Sequence, residues 1–306
     1  MKMSLYAMER LTECRSDGAM TQNQPQADPR GPVVVTGARG KTGRRILSRL
    51  ERRAIAVRPL GRTTATAFDW EEPATWPAAL DGARAAYLAY QPDLALPGGL
   101  EAVAGLAALA ARAGLERAVL LSGRGEPAAR ECELAFLAAL PLATVVRCAW
   151  FDQNFSEGAF ADAVAAGVIP LPCGRAAAEP FVDADDIADV AVEALTSPGW
   201  EGEVLELTGP AALTFDEVAA VLSDASGQRV HFAPVTEAEF AALSMDAGVP
   251  PEEARALAHL FAELLDGRNA STASGVREVL GREPRSFAEF ARRAAASGTW
   301  ARRAAS

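Results

Sequence analysis

Three glycines at a spacing of three, Gly37, Gly40 and Gly43, stand in the stretch Thr36-Gly37-Ala38-Arg39-Gly40-Lys41-Thr42-Gly43. Without side chains, a backbone of this kind can close on a phosphate and present its N–H groups to it. Two phosphate chemistries compete for the stretch. Gly40-Lys41-Thr42 matches the tail of a nucleoside-triphosphate loop, but that loop needs a glycine five residues before Gly40, where Val35 stands. The G-x-x-G-x-x-G reading instead predicts a turn that cradles a dinucleotide pyrophosphate, with Arg39, Lys41 and Thr42 as its side chains.

A second chemical signal lies downstream. A site for NAD carries an acid at the end of the second strand, where it bonds the ribose 2′-hydroxyl; an NADP site carries arginine for the 2′-phosphate. Between Gly43 and Asp69 the only acid is Glu51, inside the first helical pattern, whereas Arg39 sits in the glycine turn and Arg62 at the expected strand end, with Arg58 nearby. The arginine fork suits a phosphate monoester, so these positions predict NADPH, with Asp69 placed for the adenine amino group. Arg44 and Arg45 add to an expected basic pocket within a chain of formal net charge −10.

The elements that must hold these residues read clearly. Pro32 to Thr36 is a β-branched run, and Ile46, Leu47 and Leu50 recur at helical spacing just after Gly43. Further strands are expected at Ala54–Val57, within Ala65–Trp70, at Ala85–Tyr90, at Ala118–Ser122 and at Thr144–Arg147, with helices at about Leu100–Ala113 and Ala128–Leu140. Strands alternating with helices predict an α/β fold, a Rossmann-type doubly wound parallel sheet. Past residue 150 the pattern turns mostly helical. Asp185-Asp186 opens one helix, capping boxes at Thr214–Glu217 and Ser286–Glu289 start two more, and Pro250–Leu265 reads as another. The expected organisation is a 1–30 disordered extension, a 31–150 nucleotide-binding core and a 151–306 substrate-binding cap with some return to the sheet. Met20 is a candidate start.

The acidic balance argues against nucleic acid and anionic membrane surfaces as partners, and no apolar run reaches the roughly 20 residues that span a bilayer. Cys14, Cys132, Cys148 and Cys173 lack metal-site spacing, and only His231 and His259 accompany them, so neither metal nor disulfide is expected. A cytoplasmic monomer or homodimer fits this composition.

Together, "VVVTGARGKTGRRIL", "VRPLGR", "LLSGRGE", "VVRCAWFDQNF", "PFVDADDIADVA" and "GVREVLGREPRSFAEFARRAA" resemble the NmrA-like group of atypical short-chain dehydrogenases/reductases over nearly everything after residue 30. The resemblance implies NADP(H) along Gly37, Gly40, Gly43 and Arg62, and a substrate cleft between sheet and C-terminal half. It also implies that Trp150, Phe151, Asn154 and Phe155 border that cleft, where aromatic rings can stack on a flat molecule.

The better-known reductases follow a strand-end serine with Y-x-x-x-K. Ser122 has that setting, but Gly123 to Leu140 holds neither tyrosine nor lysine. Three readings stay open. Positioning alone could drive hydride transfer to a carbonyl that supplies its own proton. Another side chain could serve, with Ser122 and Tyr90 as orienting candidates, Tyr90 also beside the cofactor, and His231 as a donor more readily explained as structural; His259 reads as packing. Or the chain senses NADP(H) without turnover. The first reading leads to a ketoreductase of a bulky aromatic polyketide, such as a simocyclinone-type angucyclinone, in antibiotic biosynthesis.

Overall fold

Strand β1 (Val33–Val35) is three valines, and alternation sends Val33 and Val35 to one face of a sheet and Val34 to the other. All three are fully buried, as strands covered on both faces by helices must be. The computed structural model describes residues 31–91 and 93–301; the expected 1–30 extension lies outside the described residues. Along the chain follow β2 (Val57–Gly61), β3 (Thr66–Ala67), β4 (Ala85–Leu88), β5 (Arg117–Gly123), β6 (Thr144–Cys148), β7 (Val168–Leu171), β8 (Ala178–Glu179), β9 (Val204–Leu207), β10 (Leu213–Thr214) and β11 (His231–Pro234). The helices are α1 (Gly43–Arg52), α2 (Trp76–Leu80), α3 (Gly99–Arg112), α4 (Pro127–Ala139), α5 (Ala159–Ala166), α6 (Ala184–Thr196), α7 (Phe215–Ser226), α8 (Glu237–Asp246), α9 (Pro251–Leu264), α10 (Gly275–Leu280) and α11 (Phe287–Ala296).

Seven strands pair in parallel in the order β3-β2-β1-β4-β5-β6-β9. Strand order runs outward in both directions from the β1/β4 pair, the topological switch point at which open α/β sheets bind ligands. Helices α1, α6 and α10 cover the Val33 face through Ile46, Leu50, Ile187 and Val276; α2, α3 and α4 cover the Val34 face through Trp76, Leu106 and Phe136. This is the expected Rossmann-type doubly wound fold.

Two strand expectations shift. Ala54 has φ +55° and belongs to the turn that ends α1, so extended backbone starts only at Val57. The third strand shrinks to Thr66–Ala67 because Phe68 and Trp70 turn into the core, where Trp76 Nε1 donates to Asp69 O at 2.8 Å. The second half is less purely helical than expected. Parallel β7/β11 and antiparallel β8/β10 join a third core rich in phenylalanine, among them Phe155, Phe181, Phe215 and Phe287. Capping boxes open α7 and α11 at Thr214 and Ser286, and an unanticipated one opens α8 at Thr236–Glu239.

Acids on α6 tie distant segments together. Arg49 of α1 reaches Asp185 at 2.8 Å and Asp189 at 2.5 Å. From the opposite direction Arg282 meets Asp186 at 2.7 Å and Asp189 at 2.9 Å, Arg285 bonds Asp186, and Arg293 bonds Asp183, the N-cap of α6. Asp183 and Asp186 are fully buried, so these guanidinium groups neutralise carboxylates that water cannot reach. Among the described residues no helix is long and apolar enough to cross a membrane.

Candidate active site

The glycine turn leaves β1 at Thr36, whose buried Oγ1 accepts from Ala89 N at 2.7 Å and so latches the ends of β1 and β4. Gly37 takes φ +59°, a left-handed conformation that glycine alone adopts without strain. A Cβ on Gly43 would lie 2.2 Å from Gly37 O, and one on Gly40 3.1 Å from the same oxygen. The turn therefore has no room for a side chain at Gly43 and little at Gly40, and α1 starts directly behind it, which puts a helix N-terminus at the turn. Thr42 faces inward: its Oγ1 accepts from the buried Tyr87 hydroxyl at 2.9 Å.

Two cavities lie along the C-terminal edge of the sheet. One, about 760 Å³, is lined by Gly37, Arg39, Gly40, Arg62 and Asp69. It gathers the expected 2′-phosphate and adenine residues, and no described ion pair joins Arg39 or Arg62 to an acid. The wider basic cluster does not assemble there. Arg58 turns away to donate to Ala79 O at 3.0 Å and Asp81 O at 2.7 Å, while Arg44 and Arg45 pair with Glu157 at 2.5 and 2.9 Å.

The other cavity, about 370 Å³, opens over the ends of β4, β5 and β6. Lys41, Tyr90, Ser122, Trp150, Phe151 and Asn154 all line it. Phe155 does not: it sits one turn further on, fully buried, 5.6 Å from Phe181 and 5.5 Å from Phe287 between ring centroids. Its role is in the third core, a correction to the expectation that it borders the substrate. His231 lies exposed on β11 outside both cavities. His259 is exposed beside Glu237 at 3.4 Å and is not a packing residue. The apolar face of α9 runs through Leu257, Leu260, Phe261 and Leu264, all cavity-lining, and residue 259 falls opposite.

Sequence reasoning missed all four of the cavity's acids, Asp93, Glu126, Glu179 and Glu253. Glu126 precedes α4 at its N-cap position but makes no capping bond. Its carboxyl enters the cavity beside Gly123, where a Cβ would stand 3.0 Å from Glu126 Oε1. Asp93 lines the same cavity, and burial, then the charge of Asp93 and hydrogen bonding with it, push the Glu126 carboxyl up to about 8. Asp93 is fixed in turn by Ala95 N at 2.9 Å. Glu179, almost wholly buried on β8 and lining the same cavity, is pushed up to about 7 by burial, and among the described residues its Oε1 has no partner. Arg124 holds the loop wall by donating to Ser271 O at 2.8 Å and Asn269 O at 3.2 Å. Asp93 and Glu126 follow strands β4 and β5, which lie side by side in the folded sheet, and no spacing in the chain signals that neighbourhood.

Ser122 is 5% exposed, and among the described residues its Oγ has no hydrogen-bond partner. An orphan hydroxyl in the wall of a cavity is set for a ligand atom. Tyr90 and Lys41 share the cavity although they belong to different segments. Burial, with Glu71 next, raises the Tyr90 hydroxyl above its ordinary value, opposite to what the lysine of Y-x-x-x-K achieves, and burial lowers Lys41. The glycine cradle and the orphan Ser122 hydroxyl fit a dinucleotide laid from Arg62 to Ser122.

No protein-family model matches the chain. It is 30% identical over 294 residues to an NAD(P)H azoreductase of Xenophilus azovorans, spanning 87% of this chain and 98% of that one. It is 27% identical over 278 residues to prestalk A differentiation protein A of Dictyostelium discoideum, spanning 85% and 91%. Among solved structures, triphenylmethane reductase of Citrobacter sp., complexed with NADP(H), superimposes with a TM-score of 0.72 at 21% identity, covering 86% and 99%. That last likeness is one of fold.

Proposed function

The chain belongs to the NmrA-like, atypical short-chain dehydrogenase/reductase type of NAD(P)H-dependent oxidoreductases, and from that premise we propose that it reduces a carbonyl on a bulky aromatic molecule with NADPH. The observation that carries the reading is Glu253 of α9, which borders both cavities, so the arginine-lined and the aromatic-lined spaces share one wall. NADPH, when bound, supplies the hydride. Arg39 and Arg62 hold the 2′-phosphate, and Gly37, Gly40 and Gly43 admit the pyrophosphate. Ser122 and Tyr90 orient the carbonyl oxygen; Trp150 and Phe151 give the apolar wall, with Asn154 at its edge.

A flat, polycyclic substrate suits this wall. The likeness to an NAD(P)H azoreductase supports a reducible organic substrate, and an aromatic polyketide such as a simocyclinone-type angucyclinone is the specific substrate class we propose. Substrate-dependent oxidation of NADPH across a panel of quinones and polycyclic aromatic ketones tests the reading. The absent tyrosine on α4 favours a second one, a regulator that binds NADP(H) without turnover; tight cofactor binding with no oxidation across the panel would establish it.

A further inference from the structure

Reducing a carbonyl takes a proton as well as a hydride, and α4 carries no tyrosine to give it. Resting on the reductase reading, we infer that the Glu126–Asp93 carboxyl pair is the acid that protonates the carbonyl oxygen, with Ser122, which lines the same cavity, as the positioning hydroxyl.

The sheet brings the pair together. Asp93 follows β4 and Glu126 follows β5, and these strands are neighbours with Leu88 opposite Leu120. Both carboxyls line the cavity that Ser122 lines. Glu126 stands at a helix start where an acid ordinarily caps, yet it caps nothing and faces the cavity in the space left by Gly123. Both carboxyls line one cavity and are half-buried there, and two neighbouring anions partly withdrawn from water would repel, which favours one proton retained by the pair. The orphan Ser122 Oγ and the orphan Glu179 Oε1, each more than nine-tenths buried in the same cavity, independently mark it as built for a polar ligand group.

The reaction then balances. The carbonyl carbon gains a hydride and its π pair moves to oxygen, so the carbonyl is reduced by two electrons and the cofactor oxidised by two. That oxygen takes the proton held by the pair, which is left one charge more negative and regains a proton from water. The other charged or titratable groups facing this space are Lys41, Tyr90, Arg124, Glu179 and Glu253, with the Cys148 thiol. Tyr90 is shifted away from acidity and Lys41 is lowered by burial. Glu179, raised to about 7, is a second acid in this cavity, but Glu126 Oε1 lies against Gly123, the residue next to Ser122, and this places the pair at the strand end where the carbonyl oxygen is oriented.

Two acceptors separate the proton from the hydride. Phenanthrenequinone needs both, whereas N-methylacridinium, already a cation, takes hydride with no proton. In Glu126→Gln we expect single-turnover reduction of the quinone to fall about 100-fold, with loss of the wild-type decline above about pH 8, and acridinium reduction to stay within about twofold. Asp93→Asn should show the same selectivity. Infrared titration of the cofactor-free protein should reveal a protonated-carboxyl band that disappears near pH 8 and is missing from Glu126→Gln. Quinone reduction at the wild-type rate in Glu126→Gln, or equal loss with both acceptors in a folded variant, overturns the pair's role and leaves the reductase reading standing. Failure of the wild type with both acceptors instead overturns the reductase reading, and the catalytic role with it.

Discussion

The Tyr87 hydroxyl donates to Thr42 Oγ1 across 2.9 Å of solvent-free interior, binding the fourth strand to the residue that begins the first helix. Both groups are buried, so removing the tyrosine hydroxyl leaves Thr42 without its donor. Tyr87→Phe should cost about 1–2 kcal/mol of stability, read as a drop in Tm, and loosen NADPH binding because the turn is no longer pinned from behind. An unchanged Tm would show that the bond contributes nothing net.

Gly43 and Gly40 differ in how much room they have. A methyl on Gly43 meets Gly37 O at 2.2 Å, far inside contact distance, whereas one on Gly40 meets it at 3.1 Å. Gly43→Ala should therefore abolish measurable NADPH binding in a fluorescence titration, and Gly40→Ala should weaken it only severalfold. Equal losses would mean that the turn relaxes in ways its geometry does not suggest.

Arg62 and Arg39 are the groups set for the 2′-phosphate. A hydrogen bond to a charged group contributes about 1.5–3 kcal/mol, so Arg62→Ala should raise the Kd for NADPH by about 10-fold to 100-fold while that for NADH changes less than about twofold. Comparable losses for the two cofactors would remove the arginine from the 2′-phosphate site.

Stability should depend on pH through the buried acids. Glu126 rises from 4.5 to about 8 and Glu179 from 4.5 to about 7, both first through burial; Asp152, wholly buried, is pushed well above its ordinary value in the same way. With folded values above unfolded ones, the native state binds more protons between them, so this contribution is full below about pH 4.5 and lost as pH rises to about 8. Glu126→Gln/Glu179→Gln should flatten the fall in Tm between pH 5 and pH 8 relative to wild type. A parallel fall in both proteins would show that other groups govern it.

Local signals in the sequence reached the glycine turn, the helix starts at Thr214 and Ser286, and the helix at 251–264, because each depends on residues close together in the chain. The acid pair was not legible. Asp93 and Glu126 meet only because β4 and β5 pair in register, a contact that no spacing in the chain encodes. Trp150 and Phe155 illustrate the same limit at short range: both belong to one aromatic string, but the tight turn at Asp152–Phe155 leaves the first at the cavity and carries the second into the core. For α9 the helix over Pro250–Leu265 was visible, but not which face it turns inward: Leu257, Leu260, Phe261 and Leu264 line the cavity, while His259, expected to pack, is exposed.

The carboxylates of α6 have a consequence for how the chain must mature. Asp183 and Asp186 lie in place long before Arg282, Arg285 and Arg293 leave the ribosome, and they cannot be buried as anions until those cations arrive. Helix α6, central to the sheet's coverage, thus docks for good only when the last part of the polypeptide has been synthesised. A chain stopped before Arg282 would be left with an open flank of apolar sheet, a natural target for chaperones and proteases.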